Sequence, residues 1–371
     1  MSVDSGVAAS FQQKLLAWFQ REKRDLPWRR ATDPFHIFAA EIMLQQTQSA
    51  TAVPYYERFL KRFPDIQTLA ESPLDEVYQQ WQGLGYYSRA RRLHDAAKIM
   101  MDRFDGQVPD TAEELMSLPG VGRYTAGAVA SSAYQVAAPV VDGNVMRVLT
   151  RVFRVKGNPK TGAANKRLWE IAEALVPDEN PKDFNAALME LGSLVCSPRK
   201  PNCGGCPVSA HCGAFEHGET DRFPETPPRS KTTALTHVSA MIMRGRRFLL
   251  TQRPDGGPGG KMWAGLWELP RVERGEGETV EDAAERAGLQ VCGVRSRAVG
   301  SFGSLRHSVT RYRIHLHGVH AEWLGGDLEP LECKSAVWTD SESWSEYALS
   351  SPQRRLIGKA FDNPSQNLLF S

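Results

Sequence analysis

Two acidic residues stand where acid chemistry could take place. Glu41 lies in Phe38-Ala39-Ala40-Glu41-Ile42-Met43-Leu44, an apolar run that would desolvate its carboxyl and favour the protonated form. Asp142 precedes Gly143-Asn144 at an expected helix start, where the dipole favours an ionised carboxylate. An acid and a carboxylate together can break an acid-labile bond: one protonates the leaving group, the other faces the positive charge left behind. Four cysteines offer a second chemistry. Cys196, Cys203, Cys206 and Cys212 form C-x6-C-x2-C-x5-C. Four thiolates this close can enclose one metal centre, and ligand type alone leaves zinc and iron–sulfur open. Arg199 and Lys200 lie inside that loop. Cys292 and Cys333 stand apart and read as free thiols of a reduced compartment.

The elements that must position these groups are helices. Thr111 with Glu114 predicts a capped helix from 111 to 118. Pro119 and Gly120 stop it, and a second helix is predicted from Arg123 to Tyr134. Such a turn leaves backbone N–H groups at Gly120 and Gly122 facing outward, suited to a phosphate oxygen without regard to base sequence. Further helices are expected over 11–20, 34–49 (which carries Glu41), 54–63, 73–82 and 88–104. No strand is expected before residue 195, so the first half reads as all-α. Residues 216–233 hold three prolines and many charges and read as a linker. Beyond them Leu235–Met243, Arg247–Gln252 and Tyr312–His317 read as strands and Val280–Ala287 as a helix, an α+β second domain.

Composition sets the bounds. The chain has 371 residues and a net charge of +2, with 41% apolar and 24% charged residues, as a globular protein of about two domains would. Residues 1–225 hold 26 basic and 27 acidic residues, so any nucleic-acid footprint must be local. One local cluster is Tyr86-Tyr87-Ser88-Arg89-Ala90-Arg91-Arg92. No apolar run approaches the roughly twenty residues of a membrane span. Residues 1–10 lack a basic segment with an apolar core, so a cytoplasmic, nucleoid-associated monomer is expected.

Leu118-Pro119-Gly120-Val121-Gly122-Arg123-Tyr124-Thr125-Ala126, followed by Asp142, resembles the helix-hairpin-helix of the DNA glycosylases related to endonuclease III. Glu41-Ile42-Met43-Leu44-Gln45-Gln46-Thr47-Gln48 and Gly83-Leu84-Gly85-Tyr86-Tyr87 resemble the adenine-removing branch of that superfamily, and the likeness covers roughly residues 10–215. It implies an all-α glycosylase domain over 1–215 ending in one [4Fe-4S] cluster held by the four cysteines. It also implies a backbone grip on duplex DNA at Gly120 and Gly122. Glu41 would protonate the adenine ring and Asp142 would stabilise the sugar cation. Asn144 would orient Asp142 or the attacking water, and Tyr124 would sit beside the sugar. Trp28, Leu44, Arg24 and Met189 would line the base pocket, and Gln46 and Tyr86 would fill the vacated base stack. Arg89 and Arg91 are expected to contact phosphate. Lyase members carry a lysine where Tyr124 stands, so base removal by hydrolysis alone is expected.

Gly265-Leu266-Trp267-Glu268-Leu269-Pro270 followed by Val280–Leu289 resembles a Nudix fold over 234–371. Arg286 stands where that family's metal-binding glutamate would be, so no pyrophosphatase activity is expected. The resemblance implies a domain that recognises 8-oxoguanine opposite the adenine. Its expected contacts are Leu305, His307 and Ser308, with Arg306 departing from the family's Phe-Ser-His loop. The leading expectation is excision of adenine opposite 8-oxoguanine or guanine. The alternatives are a thymine or uracil mismatch glycosylase and a non-catalytic iron–sulfur DNA-binding protein.

Overall fold

The computed structural model describes residues 3–227, 232–255 and 263–362. Residues 228–231 of the expected linker lie outside the described residues. Contacts divide the chain into two units, Met1–Glu71 with Arg92–Pro228 and Ser72–Arg91 with Arg229–Ser371. Ser72–Arg91, expected in the first domain, groups by contacts with the second unit, where the Tyr78 and Tyr87 hydroxyls donate to the Ala264 and Leu349 carbonyls.

The first unit is helical. Its opening helix, Ser5–Glu22, is capped by Asp4, whose carboxylate accepts from the Gly6 and Val7 amides. It buries Phe11, Leu15, Trp18 and Phe19, one face at helical spacing, against the helices Gly143–Val152, Gly162–Leu175 and Pro181–Leu194. The helix Pro34–Leu44 is apolar on nearly every side and buried from Phe35 to Met43 with only His36 excepted. It ends five residues before the sequence expectation because Gln46 adopts a left-handed φ of 59°. The hairpin follows expectation closely. Helix Ala112–Met116 is capped by Thr111, and Gly122 caps helix Arg123–Tyr134. Between them Gly120 turns at φ 82°, and a Cβ there would meet the Arg92 side chain at 2.8 Å.

The second unit holds a mixed seven-stranded sheet among its described residues. The strands are β1 (Thr233–Arg244), β2 (Arg247–Gln252), β3 (Trp267–Glu268), β4 (Arg271–Glu273), β5 (Arg295–Val309), β6 (Tyr312–Gly325) and β7 (Ser335–Thr339). Their order is β3-β2-β1-β6-β5, with β4 also on β1 and β7 on β2; β1 and β6 run parallel. Alternation along β1 separates two cores. Val238, Ala240 and Ile242 pack under helix Val280–Cys292, while Met241 and Met243 pack under helix Ser351–Phe361. Strand β5 was not foreseen. Register shifts against β6 interrupt the period-2 pattern along Arg295–Val309, so the apolar alternation that marks a strand is broken. Leu305 thereby faces the core with Met241 and Leu356, buried, which removes it from the set of expected DNA contacts.

Candidate active site

Glu41 sits on the last turns of helix Pro34–Leu44 and is 7% exposed. The Tyr124 hydroxyl donates to its Oε2 at 3.1 Å and lies 3.5 Å from Met189 Sδ. Burial pushes the Glu41 carboxyl up to about 7; the Tyr124 hydrogen bond opposes this and the nearby negative charge of Asp142 reinforces it. A carboxyl raised toward neutrality in this way suits a proton donor. The same burial, with the Glu41 carboxylate, pushes the Tyr124 phenol well above its ordinary value, so Tyr124 stays a donor.

Asp142 is the N-cap of helix Gly143–Val152. Its Oδ1 accepts from the Asn144 amide at 2.9 Å and the Val145 amide at 2.7 Å, and its Oδ2 from Asn144 Nδ2 at 3.0 Å. The sequence foresaw this anion-stabilising helix start. Burial outweighs it, however, and the net displacement of the carboxyl is upward. Asn144 is itself held: its Oδ1 accepts from Arg147 Nη2 at 2.9 Å, while Arg147 also donates to the Gly192 carbonyl and, through Nε, to the Cys196 carbonyl, both at 2.7 Å. Gly192 lets this helix start approach, since a Cβ there would fall 2.6 Å from Asn144 Cβ.

One cavity of the first unit is lined by Glu41, Asp142, Tyr124 and Asn144 together with Arg24, Trp28, Leu44 and Met189. The eight residues named for catalysis and the base pocket thus meet on one cavity. Trp28 stands edge-on to Tyr56, with ring centroids 5.6 Å apart. Sequence reasoning missed Glu190 on the same wall. Arg24 Nη2 and Arg29 Nη2 donate to its Oε2 at 2.6 and 2.9 Å, and burial notwithstanding, these bonds hold Glu190 down at about 2. An adjoining groove runs from Asp142 and Tyr124 past Gly120 and Gly122 to Gln46. Gln45, also missed, ties its parts together by donating to the Gly120 carbonyl at 3.2 Å and the Thr125 hydroxyl at 3.1 Å. Gly122 is exposed, with open space where a Cβ would stand.

The basic cluster near Tyr86 is used differently from the sequence expectation. Arg89 is 4% exposed; its guanidinium donates to the Leu84 and Gly85 carbonyls and lies over the Trp81 and Tyr86 rings. Arg91 donates to the Tyr78 hydroxyl at 2.9 Å and pairs with Asp255. Both cations, expected to contact phosphate, are engaged with partners of the second unit in this structure. Tyr86 itself is 48% exposed and Gln46 is exposed, and each has a left-handed backbone (φ 50° and 59°). On β5, the His307 ring lies tilted beside Trp263, centroids 5.8 Å apart, and Ser308 is exposed.

Cys196, Cys203, Cys206 and Cys212 line one pocket of the first unit. Arg151 Nη1 lies 3.3 Å from Cys196 Sγ and also donates to the Ser197 carbonyl. Among the described residues no group of three or more His, Cys, Asp or Glu is arranged to hold a single metal ion. Arg199 and Lys200 are exposed beside the pocket. Within the described residues no helix is long and apolar enough to cross a membrane.

This arrangement can give a proton from one side chain and hold a negative charge on another inside one cavity. Residues 39–174 match the family described as HhH-GPD superfamily base excision DNA repair protein, and residues 238–359 match the NUDIX domain. The adenine DNA glycosylase of Homo sapiens is 38% identical over 323 residues, 72% of this chain and 58% of the relative. That of Buchnera aphidicola subsp. Schizaphis graminum is 36% identical over 264 residues, 71% of this chain and 75% of the relative. Among solved structures, a thermostable thymine-DNA glycosylase superposes with a TM-score of 0.53 at 33% identity, over 57% of this chain and 98% of its own. The chain spans 58%, 62% and 61% of the length of the human, mouse and rat relatives.

Proposed function

The chain belongs to the adenine DNA glycosylase family, and from that premise we propose that it removes adenine mispaired with 8-oxoguanine, or with guanine, from duplex DNA. The observation that supports this most is the single cavity shared by the buried Glu41 carboxyl and the Asp142 carboxyl. Glu41 gives its proton to the flipped adenine, whose departure leaves an oxocarbenium-like sugar. Asp142, held by Asn144, balances that charge until water adds. Tyr124 offers no amine for a Schiff base, so the strand stays intact.

The hairpin amides at Gly120 and Gly122 hold the phosphate backbone, and Gln46 and Tyr86 fill the stack that the flipped base leaves. Cys196, Cys203, Cys206 and Cys212 line one apolar pocket and would hold a [4Fe-4S] cluster, which would supply a cross-link of the loop beside Arg147 and Arg151. The second unit reads the opposite base, with exposed Ser308 among its contacts, and the enzyme acts as a nucleoid-associated monomer.

A second reading, excision of thymine, is favoured by the thymine-DNA glycosylase superposition. That likeness covers 57% of the chain, whereas the adenine reading also accounts for a second, Nudix-like unit. Duplexes carrying A, T or U opposite G or 8-oxoguanine, incubated with the protein and then treated with alkali, decide between them. Cleavage confined to A is expected; cleavage at T or U would overturn the adenine reading.

A further inference from the structure

Tyr86 crowns a loop whose strain is concentrated in a few residues. Gly83, Gly85 and Tyr86 all take left-handed φ values, 99°, 77° and 50°. Directly beneath lies Tyr87, buried, with its hydroxyl 3.2 Å from the Leu349 carbonyl and 3.4 Å from the Gly83 amide. It donates to the first and accepts from the second. Leu349 is bridged in turn to Trp267 of β3, and the Trp267 amide donates to the neighbouring Ala348 carbonyl at 2.9 Å. One hydroxyl therefore joins the strained loop to the sheet. A second tie lies at the other end of the segment, where Arg91 pairs with Asp255, itself held by Lys334 Nζ at 2.8 Å.

We infer that Tyr87 is a positioning residue through which the sheet unit sets the height and angle of the Tyr86 ring. The inference rests on the proposal that Tyr86 enters the base stack of duplex DNA. Its physical basis is that a left-handed non-glycine residue keeps its geometry only where the surroundings over-determine it. Local contacts from Trp81 and Arg89 hold the Gly85 carbonyl, and a long-range contact is added by Leu349, more than 260 residues along the chain. A unit that engages the opposite strand would then present the wedge ready placed, so part of the energy of unstacking is supplied before contact.

The test is a double-mutant cycle with Tyr87→Phe and Tyr86→Ala, using the full protein. The probe is a duplex with 2′-fluoro-deoxyadenosine opposite 8-oxoguanine, because the fluorine disfavours the sugar cation and blocks turnover. 2-Aminopurine beside the 8-oxoguanine reports unstacking by its fluorescence. Tyr87→Phe is expected to weaken binding about fivefold, the worth of one hydrogen bond, and to dim the unstacking signal. In the Tyr86→Ala background the same change is expected to add nothing. Equal losses in both backgrounds, or an unchanged signal in Tyr87→Phe, would overturn the inference. If Tyr86→Ala alone alters neither affinity nor fluorescence, the wedge reading fails, and the inference with it. Asp255→Asn, which loosens the segment at its exposed end, is expected to dim the signal less than Tyr87→Phe; no dimming in either variant overturns the coupling.

Discussion

Glu41 in the first unit and Glu278 in the second each lie in a region resembling enzymes that work through carboxylates, and their surroundings treat them oppositely. Glu41 is buried, its Oε2 accepts from the neutral Tyr124 phenol, and its carboxyl rises to about 7. Glu278 faces Arg286, which donates to both of its oxygens at 2.7 and 2.9 Å and holds it at about 2. Arg286 also donates to Gln290 and to the Glu273 carbonyl, so it serves as a local brace. The difference teaches what separates a reactive acid from a structural one. Burial beside a neutral donor raises a carboxyl toward neutrality, whereas a guanidinium fork holds it ionised.

The strongest way to break the comparison is Glu41→Gln. It keeps shape and hydrogen bonding but cannot give a proton, and base release is expected to fall about a thousandfold while DNA binding persists. Single-turnover assays beside gel-shift titrations check this, and normal turnover would remove Glu41 from the mechanism. Glu190→Gln comes next. It leaves Arg24 and Arg29 around a neutral amide, and urea unfolding is expected to register a loss of about 2 kcal/mol, less than a fully buried pair because Arg24 reaches solvent.

The pH dependence sharpens the comparison further. Glu41 works protonated and Asp142 ionised, so base release is expected to fall as pH rises through about 7 and to fall again in acid, where Asp142 takes up a proton. Tyr124→Phe removes the hydrogen bond that stabilises the ionised form, and the falling limb is expected to move to higher pH. A limb that stays in place would show that Tyr124 does not tune the acid. The smallest effect belongs to Arg286→Gln. It frees Glu278 at the surface and should lower the thermal midpoint by only about 1–2 °C, with adenine release unchanged.

Much of the scaffold was legible locally. The hairpin helices, the Asp142 cap and strand β2 follow from capping residues, glycine turns and apolar period, all of which act within a few residues. Strand β5 was not, because its register shifts erase alternation and the strand exists through its pairing with β6. The fates of Arg89, Arg91 and Leu305 were likewise hidden. Arg89 is occupied by Gly85 within its own segment, whereas the Asp255 partner of Arg91 and the core around Leu305 come from distant parts of the chain.

Glu41 and Glu190 mark the boundary between the two kinds of knowledge. Each sits in an apolar helical run, Ala40-Glu41-Ile42 and Met189-Glu190-Leu191, and each lines the same cavity. The sequence by itself determined that Glu41 would be taken from water, because burial follows from apolar neighbours at helical spacing; the burial of Glu190 is read from the structure. Only the tertiary structure decided which one keeps a proton. Arg24 and Arg29 reach Glu190 from more than 160 residues away, and Tyr124 reaches Glu41 from 83. The charge state of a buried group depends on its closest partner in space, and chain proximity carries no information about that.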